Sequence, residues 1–293
     1  MKRSIYDLKG FKERGEKFAM ITAYDYPTAR LADQAGIPII LVGDSVGMVV
    51  LGYESTVPVT LEDMIHHGKA VVRGVEQALV VVDMPFMTYQ VSAEEALRNA
   101  GRLLKETGAG AVKLEGGISV APTVARLVEA GIPVMGHLGL TPQSVNQLGG
   151  YKLQGKTPRA AVQLLNDAVA LQEAGAFAVV LETIPARLGE LISTRVTLPT
   201  IGIGAGPRCD GQVQVMHDML GMFEAFKPRH ARRYAEVGAV IREAVVRYVE
   251  DVKNIEFPGP AESFKVDPAT LRDVESMPYR GVTPSQAAAE VPE

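Results

Sequence analysis

The sequence predicts a single (β/α)8 barrel, an α/β fold in which eight parallel strands close on themselves inside a ring of helices. Its 293 residues suit one barrel of about 250 residues with additions at its ends. Between residues 18 and 250, short β-branched apolar runs alternate with longer stretches of helical periodicity. No Gly-rich nucleotide fingerprint follows the first run, which favours a closed barrel over an open doubly wound sheet.

Eight apolar runs, most of them bounded by Gly, Pro or Asp, are expected to form the strands. In order they are FAMITAYD (18–25), IPIILVGD (37–44), ALVVVDMP (78–85), AVKLEGG (111–117), IPVMGHLGL (132–140), AFAVVLETI (176–184), PTIGIGAG (199–206) and QVQVMHDML (212–220). Only GPRCDG separates the last two, so the seventh helix should be almost absent.

Helices are expected between these strands, most clearly at residues 26–36, 92–108, 119–131 and 157–175. Each opens on a capping or first-turn residue, and most end on Gly. Segment 4–14 should form a short helix that covers the bottom of the barrel. We predict one barrel domain over residues 1–264, followed by a C-terminal tail over residues 265–293 that can be partly disordered.

Composition narrows the possible functions. Apolar residues make up 47% and charged residues 22%, as in ordinary globular proteins. The 34 acidic residues outnumber the 30 basic ones, and no dense Lys/Arg run occurs, so we expect neither nucleic acid nor membrane as a partner. Cys209 is the sole cysteine, which excludes an intrachain disulfide. No signal peptide or membrane span is evident, and a cytoplasmic location is expected.

Charged side chains stand at the ends of six consecutive predicted strands, where barrel enzymes build their active sites. They are Asp25, Asp44, Asp83, Lys113 with Glu115, His137 and Glu182. Any one of them could simply mark the point at which a strand meets its loop. Several carboxylates crowded at one mouth would repel each other unless a cation or protons compensated them. A bound metal ion is therefore our interpretation.

The fourth strand carries two of these charges. Lys113 and Glu115 are two residues apart, so both should point into the barrel. A purely structural ion pair between them is the alternative to a functional role. The carboxylates of Asp44, Asp83 and Glu115 offer only oxygen ligands, which favours Mg²⁺ or a similar hard ion over zinc. Such an ion would polarise a bound carbonyl group.

Two connections are unusually long for their position in a barrel. They are SVGMVVLGYESTVPVT after the second strand and TPQSVNQLGGYKLQGKT after the fifth, and both could act as lids. The Gly-rich loop after the seventh strand is a weak candidate for a phosphate site. His66 and His67 lie in a predicted helix, where we expect a solvated or partly packed role.

The motifs GDSVGMVVLGYEST, VVVDMPF, VKLEGG, MGHLGLTPQS, LETIP and IGIGAG together resemble the ketopantoate hydroxymethyltransferases over residues 6–264. GDS alone also occurs in the wider phosphoenolpyruvate mutase/isocitrate lyase superfamily. The resemblance implies hydroxymethyl transfer from methylenetetrahydrofolate to α-ketoisovalerate through a Mg²⁺-stabilised enolate. The product, ketopantoate, would serve pantothenate and coenzyme A synthesis. The resemblance also implies a homo-oligomer, which is a decamer in this family.

The same resemblance implies roles for most of the residues at the mouth. Asp44 and Asp83 would hold Mg²⁺, and Glu115 would complete its surroundings. The keto acid would chelate the metal through its carboxylate and ketone, so that Asp44 and Asp83 also form part of the substrate site. Ser45 and Lys113 would contact the substrate directly.

Glu182 would then be the general base, and His137 is either an accessory residue or a buried structural histidine.

Two other functions are alternatives for a barrel with these residues. A lyase or phosphonate mutase of the same superfamily would carry a Lys-Lys-Cys-Gly-His loop, which this sequence lacks. A degenerate barrel that is not an enzyme and only binds a keto acid or a protein partner would be expected to lose one or more mouth carboxylates, yet all are present. One departure from the family is the sequence AESF, where its members tend to carry His before SF.

Overall fold

The computed structural model describes residues 2–223 and 228–277. Its strands close into a parallel barrel in the order of the chain, which confirms the predicted fold. They are β1 (Phe18–Thr22), β2 (Ile39–Val42), β3 (Leu79–Asp83), β4 (Ala111–Glu115), β5 (Val134–Gly139), β6 (Ala178–Glu182), β7 (Thr200–Ile203) and β8 (Gly211–Gln214). The chain divides into two compact units, residues 1–239 and residues 240–293, and the barrel lies in the first.

Helices form between the strands at the predicted places, and others lie before the first strand and after the last. They are α1 (Ile5–Glu13), α2 (Tyr26–Gln34), α3 (Val46–Val49), α4 (Leu61–Gly74), α5 (Ala93–Thr107), α6 (Ala121–Glu129), α7 (Val145–Leu148), α8 (Pro158–Glu173), α9 (Ala186–Arg195), α10 (Met216–Met219), α11 (Val237–Lys253) and α12 (Pro268–Ser276). A 3₁₀ turn, Pro142–Ser144, precedes α7. The glycines that end the predicted helix-to-strand turns, Gly36, Gly131 and Gly175, have φ between 82° and 88°, a conformation that favours glycine.

The prediction for the eighth strand was wrong in its second half. The strand ends at Gln214, and the apolar run continues as the helical turn α10. The backbone N–H of Met216 donates to Thr22 Oγ1 at 3.1 Å, and the N–H of Met219 closes the helical turn on the Val215 carbonyl at 3.0 Å. A short apolar run is compatible with a buried helical turn as well as with a strand, and here the packing decides. The expected absence of a helix between β7 and β8 is confirmed.

The N-terminal helix covers the bottom of the barrel, as predicted. Leu8 of α1 is completely buried among the inward-facing apolar residues near the N-terminal ends of the strands. Lys12 Nζ donates to the carbonyl oxygens of Ser193 and Leu198 and lies 2.9 Å from Asp210 Oδ2. This end of the barrel is therefore closed by apolar packing and a half-buried cation.

The strands alternate between an inner and an outer face. Val112 and Leu114 of β4 pack in the layer between the sheet and the helices. Ala111 belongs to the apolar interior of the barrel, and Lys113 and Glu115 follow it at intervals of two. The prediction that both charged residues point inward is confirmed. The interior is thus apolar at the bottom and charged at the C-terminal ends of the strands.

The predicted tail begins at residue 265 and contains α12, which was not foreseen. Disorder was predicted for its last ~15 residues, and these lie outside the described residues. The domain boundary at residue 264 stays a prediction. No helix in the ranges 2–223 and 228–277 combines the length and apolar character needed to cross a membrane.

Candidate active site

Five of the predicted site residues meet at the C-terminal ends of neighbouring strands. Asp83 ends β3, Lys113 and Glu115 lie on β4, His137 lies on β5, and Glu182 ends β6. The first four are buried. Glu182 is the least buried, with 14% of its side chain exposed against 3–4% for the carboxylates of Asp83 and Glu115.

Asp83 is held from two sides. Lys113 Nζ lies 2.6 Å from its Oδ1, and the backbone N–H of Asp44 donates to its Oδ2 at 3.0 Å. Burial alone would lower the pKa of Lys113, but the charges of Asp83 and Glu115 outweigh it and raise that pKa. The ammonium group therefore stays protonated. Its ion-pair partner is Asp83 on the neighbouring strand β3. The structural alternative had paired Lys113 with Glu115 instead.

His137 lies between two carboxylates. Its Nδ1 is 3.3 Å from Glu115 Oε1, and its Nε2 is 3.2 Å from Glu182 Oε2. Both distances are within hydrogen-bond reach, although the angles of the two contacts do not have hydrogen-bond geometry. Burial and the Lys113 charge lower the pKa of His137, but the two glutamates outweigh them and raise it to about 9. An imidazolium thus connects the predicted metal surroundings to the predicted base.

Gln143, in the 3₁₀ turn after β5, was missed by the sequence analysis. Its backbone N–H donates to Glu115 Oε2 at 3.1 Å, and its side-chain Nε2 donates to Asp44 Oδ2 at 2.8 Å and to the Met84 carbonyl at 3.0 Å. Tyr89, also missed, donates its hydroxyl to Gln143 Oε1 at 2.7 Å. The signal available was the unusual length of this loop, which indicated function but no particular residue.

Ser45 follows Asp44 directly and begins the turn that leads into α3. Its hydroxyl is 2.8 Å from the hydroxyl of Tyr24, a buried side chain just beyond β1. Ser45, the predicted substrate contact, is therefore held by Tyr24, which follows the adjacent strand β1.

The backbone around Glu182 is tightly constrained. Thr183 has φ 48°, in the left-handed region that costs a non-glycine residue free energy and is often found at functional sites. A Cβ added at Gly139 of β5 would collide with the Glu182 carbonyl oxygen, which already accepts from the Leu140 N–H at 2.8 Å. The fold thus holds the predicted base in one backbone position.

The remaining mouth carboxylate, Asp44, is buried in negative surroundings. Burial, followed by the charges of Asp83 and Glu115, raises its pKa well above the ordinary range. The site therefore holds more negative charge than its own cations balance. Among the described residues, no three or more His, Cys, Asp or Glu side chains form a group that could hold a metal ion unaided.

Other sequence candidates lie outside this cluster. Asp25 caps α2 by accepting from the Thr28 N–H at 2.8 Å, so it marks the start of a helix. His66 is exposed, and His67 donates from Nδ1 to the Tyr24 carbonyl at 2.7 Å, which confirms a solvated and a partly packed role. In the loop after β7, Gly206 packs against Ala186, and the phosphate site stays a prediction.

Comparisons with known proteins identify the family to which the chain belongs. The family model of ketopantoate hydroxymethyltransferase matches residues 2–260. A 3-methyl-2-oxobutanoate hydroxymethyltransferase of Dehalococcoides mccartyi is 61% identical over 275 residues, covering 94% of this chain and 98% of that protein. Its counterpart from Chloroflexus aurantiacus is 60% identical over 271 residues, covering 92% and 96%.

Among solved structures, 2,3-dimethylmalate lyase, a PEP mutase/isocitrate lyase superfamily member, matches with a TM-score of 0.54 at 16% identity, covering 94% of this chain and 95% of that one. This likeness shows the shared barrel. The sequence relatives show more, because their identity extends over nearly the whole chain. The chain is an enzyme that belongs to the ketopantoate hydroxymethyltransferase family, which transfers a hydroxymethyl group to 3-methyl-2-oxobutanoate.

Proposed function

We propose that the enzyme takes its hydroxymethyl group from methylenetetrahydrofolate and adds it to α-ketoisovalerate, that is 3-methyl-2-oxobutanoate, to make ketopantoate for pantothenate synthesis. The observation that carries this proposal is the mouth cluster, in which one partly exposed carboxylate, Glu182, stands beside two buried cations and three buried carboxylates. Carbon–carbon bond formation next to a ketone needs such a combination, a base for one proton and positive charge for the oxygen that becomes negative.

Glu182 is assigned as the base. It would remove the proton from the carbon beside the ketone, and the electron pair of that C–H bond would become an enolate. The enolate carbon then attacks the methylene carbon of the folate, and both bonds from that carbon to the folate nitrogens break. A water molecule supplies the hydroxyl group of the new hydroxymethyl unit, and tetrahydrofolate leaves after its nitrogens take up the proton lost by the keto acid and one proton from the water. The 14% exposure of the Glu182 side chain supports this assignment, because a base must reach a substrate that enters from the mouth.

Lys113 and Ser45 are assigned to the keto acid. The Lys113 ammonium is buried, protonated and held by Asp83, so it needs no reorganisation to stabilise a developing negative charge. The Ser45 hydroxyl, held by Tyr24, can donate to a substrate oxygen while it accepts from the tyrosine. His137 would keep the Glu182 carboxylate oriented between catalytic cycles.

A divalent cation such as Mg²⁺ fits the donor set. Asp44 and Asp83 would hold it, with Glu115 beside them. The pKa of Asp44 is raised by burial first and then by the charges of Asp83 and Glu115, and a cation would offset both effects. Since the described side chains offer no complete group of their own, the carboxylate and ketone of the keto acid would contribute the remaining oxygen ligands. When bound, such a cation polarises the ketone as a Lewis acid.

The direct test is product formation by the purified protein. We expect ketopantoate to form only when α-ketoisovalerate, methylenetetrahydrofolate and a divalent cation are all present. Glycine or pyruvate in place of the branched keto acid serves as the control. Ketopantoate that forms equally well without the folate would contradict the assignment of the one-carbon donor.

We also infer that the enzyme is a homo-oligomer, a decamer if it follows the resemblance. Within the second unit, Ile241, Val245, Val249 and Val252 of α11 form one helical stripe, and each exposes 42–55% of its surface. A stripe of this kind is commonly covered by another copy of the chain. Light scattering after size-exclusion chromatography should give a mass well above the 31.4 kDa of one chain, and Val245→Glu should lower it.

A further inference from the structure

We propose that Gln143 is a positioning residue that holds Asp44 and Glu115 ready for the divalent cation, and that Tyr89 sets the orientation of its amide. This inference rests on the proposed function. Gln143 contacts two carboxylates assigned to the metal and its surroundings, and it lies on the long loop after β5, outside the set of charged residues that the barrel strands supply.

The geometry is that of a clamp between two strands. The backbone N–H of Gln143 donates to Oε2 of Glu115, which is on β4, and the side-chain amide donates to Oδ2 of Asp44, which follows β2. One residue thus holds one oxygen of each carboxylate. Gln143 as a whole is only 4% exposed, so water does not compete for these hydrogen bonds.

The orientation of the amide is set by its neighbours. Met84 O can only accept a hydrogen bond, and it lies 3.0 Å from Gln143 Nε2, so the NH₂ group must face Met84 and Asp44. Tyr89 donates to the opposite atom, Oε1, at 2.7 Å. The same hydroxyl accepts from the Glu115 N–H at 3.1 Å. Its proton has two acceptors, and Gln143 Oε1 at 2.7 Å is the nearer one, since the Glu115 carbonyl oxygen lies at 3.3 Å.

These hydrogen bonds orient the carboxylates that are assigned to the cation and its surroundings. Asp44, Asp83 and Glu115 repel one another in a buried site. Without fixed hydrogen-bond donors, these carboxylates would rotate away from each other or bond to other groups. With Oδ2 of Asp44 and Oε2 of Glu115 occupied by Gln143, Oδ1 of Asp44 is left for the cation, and Oε1 of Glu115 faces His137 at 3.3 Å. Groups that orient metal ligands in this way typically change metal affinity by about 10- to 100-fold when they are removed.

A merely structural role is the competing explanation, in which Gln143 only anchors the loop after β5. The two roles differ in what they change. Loss of an anchor would lower the amount of folded or active protein at every metal concentration. Loss of a positioning residue would instead raise the metal concentration that the site needs, and saturating metal would restore activity.

The experiment titrates Mn²⁺ against the full-length protein and follows the electron paramagnetic resonance signal of the free ion, first with Mn²⁺ alone and then with α-ketoisovalerate. Gln143→Leu should raise the Kd for Mn²⁺ by about 10- to 100-fold. Tyr89→Phe, which removes one hydroxyl, should raise it in the same direction by roughly 2- to 10-fold. The matched control is Gln147→Leu, the same substitution at an exposed position of the same loop, and it should leave the Kd unchanged.

Hydrogen–deuterium exchange of the keto acid, measured across a range of Mn²⁺ concentrations, is the second readout and should recover in Gln143→Leu at saturating metal. If Gln143→Leu does not fold, Tyr89→Phe alone decides. Wild-type Kd values in both variants would overturn the inference and leave the proposed function standing. Failure of the wild type to bind Mn²⁺ in either condition would overturn the metal-dependent function and this inference together.

Discussion

Lys113 Nζ and Asp83 Oδ1 lie 2.6 Å apart in the barrel interior, with side-chain exposures of 5% and 3%. A buried ion pair of this kind is costly to break, because the remaining partner is left as an uncompensated charge away from water. The pair joins β3 to β4 at the level of the mouth. Removal of one partner should therefore change stability as well as the electrostatics of the site.

Removing the cation should affect both properties. Lys113→Met should lower the free energy of unfolding by about 3–5 kcal/mol, because Asp83 stays buried and unpaired. It should also lower kcat/KM by roughly 10²-fold, because one preorganised positive charge is lost. Urea unfolding and steady-state kinetics measure the two effects.

The double variant Lys113→Met/Asp83→Asn separates them. It removes both charges, so most of the lost stability should return while activity stays low. A single Lys113→Met variant with wild-type kcat/KM would return Lys113 to a structural role.

The metal dependence is tested by chelation. Enzyme treated with a chelator should lose ketopantoate formation and regain it when Mg²⁺ is added. Asp44→Asn keeps the shape of the side chain and an acceptor for Gln143, so we expect a normal fold and a higher Mg²⁺ requirement. Asp25→Asn is the control, because Asp25 caps α2 and Asn is an equally good cap. Full turnover after chelation would show that no exchangeable metal takes part.

The close approach of β5 to β6 gives a third prediction. Gly139→Ala should destabilise the protein by about 1–3 kcal/mol, because the added methyl group collides with the Glu182 carbonyl oxygen. Because the collision displaces the predicted base, hydroxymethyl transfer should fall as well. Thermal unfolding and the ketopantoate assay measure these changes.

Gly101→Ala in α5 is the matched control for that substitution. A Cβ at Gly101 meets no atom within 4 Å, and the helix interior favours alanine by roughly 0.5–1 kcal/mol. It should therefore leave activity unchanged and raise stability slightly. Equal behaviour of the two variants would mean that the contact with Glu182 has no influence on the site.

Strand periodicity explains why much of this site could be predicted. Lys113 and Glu115 are two residues apart on a buried strand, so their common direction follows from the alternation of side chains. The carboxyl ends of parallel barrel strands share one mouth, which brings Asp83 and Glu182 to the same region although almost a hundred residues separate them.

Loop residues could not be predicted in this way. Gln143 and Tyr89 meet because two irregular connections fold over the mouth, and no repeating pattern gives their path. The partner of Lys113 was also not predictable, since Asp83 and Glu115 are both within reach of an inward lysine on β4. The apolar run after Gln214 is compatible with a strand and with a helix, so the sequence alone could not distinguish them. In the structure this segment packs on Thr22, to which the Met216 N–H donates, and it forms a helical turn.

The assignment of Glu182 as the general base is the central claim. Its most direct test is solvent deuterium exchange at the carbon beside the ketone of α-ketoisovalerate, with Mg²⁺ and without folate, followed by proton NMR. Wild-type enzyme should exchange this hydrogen, and Glu182→Gln should lose exchange by roughly 10²-fold or more while it still binds the keto acid. Exchange at the wild-type rate in Glu182→Gln would contradict this assignment, and the base would then be another group.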